Sequence, residues 1–222
     1  MDFVTTGDGS KTIYNAEIGE HYHSRHGALQ ESQHVFLKSG LEFFLERERG
    51  IDTASILEIG FGTGLNFILT ADYCKKHQVR LHYCGVEAYP LPLSTISDIG
   101  YHNYVSPEMW TDYNNGYMDA LKDKVSLNRA VSLQIAHAKI LDFYTEDRFD
   151  VVYFDAFAAI HQPDMWTDET LAHVASFMKP RAVFVTYAIT GNLKRSMKAL
   201  GFTIEKAPGA PGKREMLRAI KG

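Results

Sequence analysis

Glu58, Gly60, Gly62, Thr63, Gly64 and Asn66 fall within nine residues, directly after the apolar pair Ile56-Leu57. Glycines at alternate positions let the backbone take positive φ and let a ligand come close to the chain. Apolar residues before them and a helical pattern after them make a strand, a tight turn and a helix N-terminus. Open α/β sheets hold nucleotide-like ligands at such turns. A dinucleotide site wants glycine or alanine where Leu65 stands, with the pyrophosphate on the helix N-terminus. Glu58, two residues before the first glycine, would repel a pyrophosphate and suits a cationic ligand. S-adenosylmethionine (SAM) fits that description, with an ammonium, a sulfonium and no phosphate. Leu81 to Glu87 reads as a second strand ending in an acid, 23 residues beyond Gly64. Glu87 is placed there to accept the ribose hydroxyls.

The second chemical segment runs from Phe149 through Asp155 and Phe157 to Pro163 and Trp166. A buried strand over 151–154 would deliver Asp155 to the same crevice, followed by an aromatic, proline-bearing loop. Phe157 and Trp166 suit a stacking platform for a base, and suit core packing equally well. His21, His23 and His26, with Glu20 and Glu31 nearby, match no standard zinc spacing, so a polar loop is expected and no metal.

These residues need a frame to hold them. A β-hairpin is expected over 3–18, a polar loop over 19–28 and a helix from Gln30 to Arg49 ending at Gly50. Strands are expected at 54–59, 80–87, 130–136, 150–154 and 182–188, and helices at 64–77, 117–124, 165–178 and 191–199. Residues 90–116 show no clear period. Strands at 202–206 and 215–220, split by a Pro/Gly-rich turn, predict an antiparallel edge hairpin. The alternation predicts a Rossmann-like α/β fold, mostly parallel, with helices on both faces. Residues 1–50 read as an extension packed on a SAM-binding α/β domain over 51–222, the whole forming one unit.

At 222 residues with 45% hydrophobic and 23% charged residues, the chain can build a sizeable core. No apolar run suits a membrane span, and no signal peptide is visible at the start. Cys74 and Cys84 are expected to be free and buried, and the chain cytoplasmic. Net charge is −4, yet residues 179–222 carry ten Lys/Arg against two acids. That basic quarter on an acidic body is a footprint for a polyanion or a set of solvated lysines.

Four motifs carry a resemblance. They are Tyr22-x-Ser24 with Gln30-Glu31-Ser32-x-His34-Val35-Phe36, the Glu58 to Phe67 loop, Asp155-Ala-Phe157 with Gln162-Pro163-x-Met165-Trp166-Thr167, and Gly209-x-x-Gly212-Lys213-Arg214-Glu215-Met216-Leu217. The chain resembles the methyltransferases that form 5-methylaminomethyl-2-thiouridine at the tRNA wobble position. The resemblance implies the fold, SAM as cofactor and tRNA as substrate. In many bacteria the activity is fused to a flavin oxidase. No flavin-binding glycine pattern occurs here, so a separate flavin-dependent oxidase, or direct installation of the aminomethyl group, is expected to supply the substrate. Asp155 is the expected partner of the acceptor amine. Tyr22, Ser24 and Glu31 are expected at the entrance, and Lys194, Arg195, Lys213 and Arg214 on phosphates. The chain departs from the family at Ala159 and His161, and at Ala136-His137-Ala138, where the family has an acid near adenine; Asp142 lies too far along to replace it simply. Two other readings suit the same fold, a small-molecule amine methyltransferase and a catalytically silent SAM-binding module.

Overall fold

The structure is a computed structural model and describes residues 3–222. β1 (Phe3–Thr5) and β2 (Lys11–Asn15) form the expected hairpin, closed where Asp8 Oδ1 accepts the Ser10 N–H at 3.0 Å. The polar loop is not free of structure, because β3 (Glu20–His21) pairs with Tyr14 and Asn15. The hairpin turn then caps the next helix. Ser10 Oγ accepts the N–H groups of Ala28 and Leu29, both at 3.1 Å, and Asp8 Oδ2 accepts that of Gln30 at 2.9 Å. Helix N-termini leave such donors without partners, and Gly27 has no side chain to offer.

That helix runs as α1 (Ala28–Glu31), a wide section with i→i+5 turns (Ser32–Glu42), and α2 (Phe43–Arg47). Wide turns of this kind concentrate at functional sites, and this one begins at Ser32, beside the glycine loop. Gly40 lets it lie close on the sheet, since a Cβ there would sit 2.8 Å from the Tyr153 ring and 3.0 Å from Val185.

The remaining elements alternate. They are β4 (Thr53–Ile59), α3 (Leu65–Lys76), β5 (Arg80–Glu87), α4 (Leu93–Asp98), α5 (Pro107–Ala120), β6 (Val125–Ser126), β7 (Val131–His137) and β8 (Phe149–Phe154), then α6 (Asp168–Ser176), β9 (Met178–Thr186), α7 (Gly191–Ala199), β10 (Phe202–Pro208) and β11 (Glu215–Lys221). The eight-stranded sheet has the order β10-β11-β9-β8-β4-β5-β7-β6. Its middle is parallel, while at the edges β6 pairs antiparallel with β7, β11 with β9 and β10 with β11. Strand residues alternate between faces: Ile56, Tyr153 and Val185 pack with the first helix, α3 and α5, and Leu57, Phe154 and Phe184 pack with α6 and α7.

Two helices differ from expectation. The expected 117–124 helix is instead the longer α5. It starts at Pro107 behind Ser106, whose N–H and hydroxyl both bond Asp72 Oδ1. Gly116 sits inside it because a side chain there would meet Leu127. The expected 165–178 helix starts late. Thr167 is extended and caps α6 by accepting the Thr170 N–H, leaving Pro163–Trp166 as a separate tight turn. Cys74 and Cys84 are free and buried. Among the described residues no helix is long and apolar enough to cross a membrane.

Replacing Gly40 with alanine is expected to destabilise the fold by about 1–3 kcal/mol through overpacking against Tyr153 and Val185. Urea denaturation checks this; an unchanged midpoint would mean the helix can lift off the sheet without cost.

Candidate active site

β4 is the first strand of the large sheet. From it the chain winds outward to β5 and β7 on one side, then returns to β8 and β9 on the other. The switch point lies between β4 and β8, where open α/β sheets place their ligands. The two chemical segments meet there. The Asp155 N–H donates to the Ile59 carbonyl at 2.9 Å, and a Cβ on Gly60 would lie 2.5 Å from the Asp155 carbonyl oxygen. Gly60 has φ of 85° and Gly64 of 77°, so both positions disfavour a side chain for conformation as well as space.

A cavity of about 900 Å³ opens over these strand ends. Gly60, Gly62, Thr63, Glu87 and Asp155 line it, as do Tyr22, Ser24, Glu31, Phe157 and Lys213. Glu87 is fixed by two backbone donors, Gly62 N–H at 2.8 Å and Tyr89 N–H at 2.9 Å. Its remaining lone pairs are available to ribose hydroxyls. Asp142 also lines the cavity, in a short turn after β7.

Glu58 and Asn66 do not line the cavity; they lie beneath it. Glu58 is fully buried. Asn66 Nδ2 donates to Glu58 Oε1 and to Asp155 Oδ2, both at 2.8 Å, and Tyr83 donates its hydroxyl hydrogen to Glu58 Oε2 at 2.8 Å. Ser32 donates to Asn66 Oδ1, which fixes the amide with its NH₂ toward the two carboxyls. Glu58 is therefore linked to the cavity through Asn66 and Asp155. Burial and the Asp155 charge push the Glu58 pKa well above the carboxylate range. Burial first, and then the Glu31 charge, push Asp155 up to about 8. Burial pushes His23 down to about 4, so that imidazole is neutral.

Other sequence-predicted residues separate. Phe157 lines the cavity edge-on to Tyr22, with ring centroids 5.3 Å apart. Trp166 does not; its Nε1–H donates to the Phe157 carbonyl at 2.8 Å and its ring packs on Phe154, so it fastens the loop. Lys213 is not an outward phosphate contact, because its ammonium faces the cavity and pairs with Glu31 at 2.7 Å. Arg214 is exposed. Much of the basic tail is spent internally: Lys179 pairs with Asp150, Arg181 with Glu48, Lys206 with Glu215 and Arg218 with Glu205. Lys194, Arg195 and Lys198 lie together on α7, just past the C-terminal end of β9. Sequence reasoning weighed Glu20 only beside the histidines of a metal site, whereas it accepts the Ala158 N–H at 2.9 Å, and it missed Tyr187, whose hydroxyl donates to Ala156. Glu20 was hidden in a His-rich stretch, and Tyr187 lay where the strand was expected to continue.

The cavity lining holds seven carboxyls against three Lys/Arg. That balance repels phosphate-bearing ligands and suits a cation. With a glycine cradle that carries no side chains toward a ligand and Glu87 beside it, the residues present fit SAM. Residues 106–222 match the model of a family described as S-adenosyl-L-methionine-dependent methyltransferase, and the chain belongs to that family. It is 32% identical over 230 residues to the tRNA 5-methylaminomethyl-2-thiouridine biosynthesis bifunctional protein MnmC of Aromatoleum aromaticum, covering 96% of this chain and 34% of that one. The protein of the same name from Chromohalobacter salexigens is 30% identical over 223 residues, covering 95% and 31%. The chain thus spans about a third of the length of these curated relatives. In fold it is similar to the crystal structure of MNMC2 from Aquifex aeolicus, with a TM-score of 0.78, 22% identity and coverage of 98% of this chain and 69% of that chain. A putative class I methyltransferase from Listeria monocytogenes shares the core at a TM-score of 0.53, 15% identity and coverage of 88% and 61%.

Replacing Glu87 with alanine is expected to weaken SAM binding by at least about tenfold, the loss of charge-assisted hydrogen bonds worth ~1.5–3 kcal/mol. Isothermal titration calorimetry measures it. Unchanged affinity would place the ribose elsewhere.

Proposed function

We propose that this chain methylates the primary amine of 5-aminomethyl-(2-thio)uridine at the tRNA wobble position, giving 5-methylaminomethyl-(2-thio)uridine. The observation that carries this reading is the Asp155 carboxyl, held at the switch point beside the glycine loop of an acidic cavity. The relatives named for 5-methylaminomethyl-2-thiouridine biosynthesis, aligned over nearly the whole chain, supply the substrate. When bound, SAM offers a methyl group activated on a sulfonium. Gly60, Gly62, Thr63 and Glu87 would hold it.

The chain's own residues then handle the acceptor. An alkylamine has a pKa of about 10 and arrives as an ammonium. Asp155, oriented by Asn66, binds that ammonium, accepts a proton from it and points the freed lone pair inward. Tyr22 and Phe157 form an aromatic edge at the mouth against which an unstacked base can lie. Lys194, Arg195, Lys198 and Arg214 are the cations left for the phosphate backbone. The primary amine must come from an earlier step, and a flavin-dependent oxidase is a fitting source. The cytoplasm is the compartment this substrate implies.

The test is methyl transfer from labelled SAM to tRNA from cells lacking this gene, followed by nucleoside analysis. Label in 5-methylaminomethyl-(2-thio)uridine is expected. SAM binding with label only in a free small amine would move the assignment to a small-molecule methyltransferase.

The Asp155 carboxyl sets the pH dependence. Below about 8 it carries a proton and cannot take one from the amine. The kcat/KM is therefore expected to rise with pH to a plateau above about 8. Asp155→Asn is expected to abolish that limb and lower turnover by about 10² or more, with SAM binding kept. A mutant retaining near-normal rates would remove Asp155 from the mechanism. The triple change Lys194→Gln, Arg195→Gln, Lys198→Gln is expected to weaken tRNA binding and reduce the slope of log K against log salt by about 2–3. A slope equal to wild type would exclude α7 from the RNA interface.

A further inference from the structure

One end of the cavity is closed by residues from opposite ends of the sequence. Glu31 ends α1, and its side chain is only 8% exposed. Its Oε1 accepts the Ser24 N–H at 3.1 Å, and its Oε2 accepts from Lys213 Nζ at 2.7 Å. Lys213 comes from the turn between β10 and β11. Its ammonium also lies 3.9 Å from the centroid of the Tyr187 ring. Tyr187 in turn donates its hydroxyl hydrogen at 2.9 Å to the carbonyl of Ala156, next to Asp155. The turn is itself seated. Lys213 N–H donates to the Ala210 carbonyl at 2.8 Å, and a Cβ on Gly212 would lie 2.7 Å from the His26 ring. A carboxylate, an aromatic face and a tight turn thus fix this ammonium in place.

Without that cation, Glu31 would be a buried carboxylate with no counter-ion, sharing a cavity with Asp155. The groups facing Asp155 are Glu31 from α1, Glu20 from β3, Glu58 from β4, Tyr83 from β5, Tyr101 from the segment before α5, Tyr187 after β9, and Lys213. Among the described residues Lys213 is the one cation in this set. We propose that Lys213 is a positioning residue for methyl transfer: it neutralises Glu31, so that Asp155 is the carboxylate that receives the acceptor amine. This rests on the reading of Asp155 as the partner of the amine. The charges act in the matching directions, since Glu31 pushes the Asp155 pKa up and Lys213 draws it down. Removing Lys213 lets Asp155 keep its proton to higher pH, and the incoming amine meets a neutral acid. Removing Glu31 as well takes away the charge that Lys213 offsets.

The experiment is a ¹³C-carboxyl NMR titration of Asp155 in the full chain, its signal assigned by loss in Asp155→Asn. Wild type, Lys213→Met, Glu31→Gln and the double variant are compared, each with its kcat/KM pH profile and SAM affinity. Lys213→Met is expected to raise the Asp155 midpoint by about one pH unit. Its kcat/KM at pH 7 is expected to fall about tenfold, with SAM affinity unchanged. Glu31→Gln is expected to lower the midpoint. The double variant is expected to return it to the wild-type value or below, with the acid limb of kcat/KM following. If Lys213→Met alone does not fold, Glu31→Gln and the double variant carry the test. A midpoint unmoved in Glu31→Gln, or lowered in Lys213→Met, overturns the proposal. The titration needs no RNA. Shifts as expected without tRNA methylation would uphold the role of Lys213 and overturn only the substrate reading. Normal tRNA methylation with unmoved midpoints would overturn only the role of Lys213.

Discussion

The site is organised around one amide group, Asn66 Nδ2, which gives one hydrogen to each of two carboxyls. Two acids converging in a desolvated space repel each other and lose the solvation of water. The amide relieves both costs at once, because each carboxyl gains a donor and neither faces the other bare. Asn66 stands one residue into α3. Its partners come from the first long helix through Ser32, from β4 through Glu58 and from β8 through Asp155, while Tyr83 of β5 completes the shell around Glu58. Five elements that meet at the switch point are therefore registered by one polar cluster. Leucine at position 66 would leave Glu58 and Asp155 each short of a donor, with Glu58 fully buried.

Charge is sorted by depth. The deepest acid, Glu58, has no cation near it among the described residues and is held neutral by burial. The cavity wall above is predominantly acidic, and its fixed ammonium at Lys213 is matched to Glu31. The outer surface of the last quarter carries positive charge, yet four of its cations are committed to ion pairs with Asp150, Glu48, Glu215 and Glu205. The basic tail read from composition thus resolves into structural pairs and a smaller exposed group on α7 and at Arg214. A cationic donor and an amine acceptor suit the interior, and a polyanion suits the rim.

Much of this was legible in the sequence where local chemistry and period agreed. The alternate glycines, the acid ending β5 and the buried run before Asp155 located the crevice, because each signal is short-range. Signals were lost where a long-range partner decides the structure. Glu58 read as a ligand contact because a sequence does not show that Asn66 and Tyr83 enclose it. Lys213 read as a surface cation because Glu31 stands 182 residues away. The α5 boundary was missed because Asn114, Asn115 and Gly116 look like a turn, and only the packing of Leu127 explains a glycine inside a helix. The late start of α6 had a local cue in Thr167, a capping residue four positions after Pro163, which the apolar pattern of Met165 and Trp166 obscured.

The contact between Glu31 and Lys213 also bears on how the molecule is assembled. The parallel core can form from residues between β4 and β9, but the cavity has no far wall until the β10–β11 turn reaches the first helix. Closing so long a stretch of chain is entropically slow, and contacts of this range form late in folding. On a ribosome the strand ends that carry Gly60 and Asp155 would emerge well before Lys213, which follows them in the chain. The cavity wall built by Glu31 and Lys213 would then close after the crevice floor had formed.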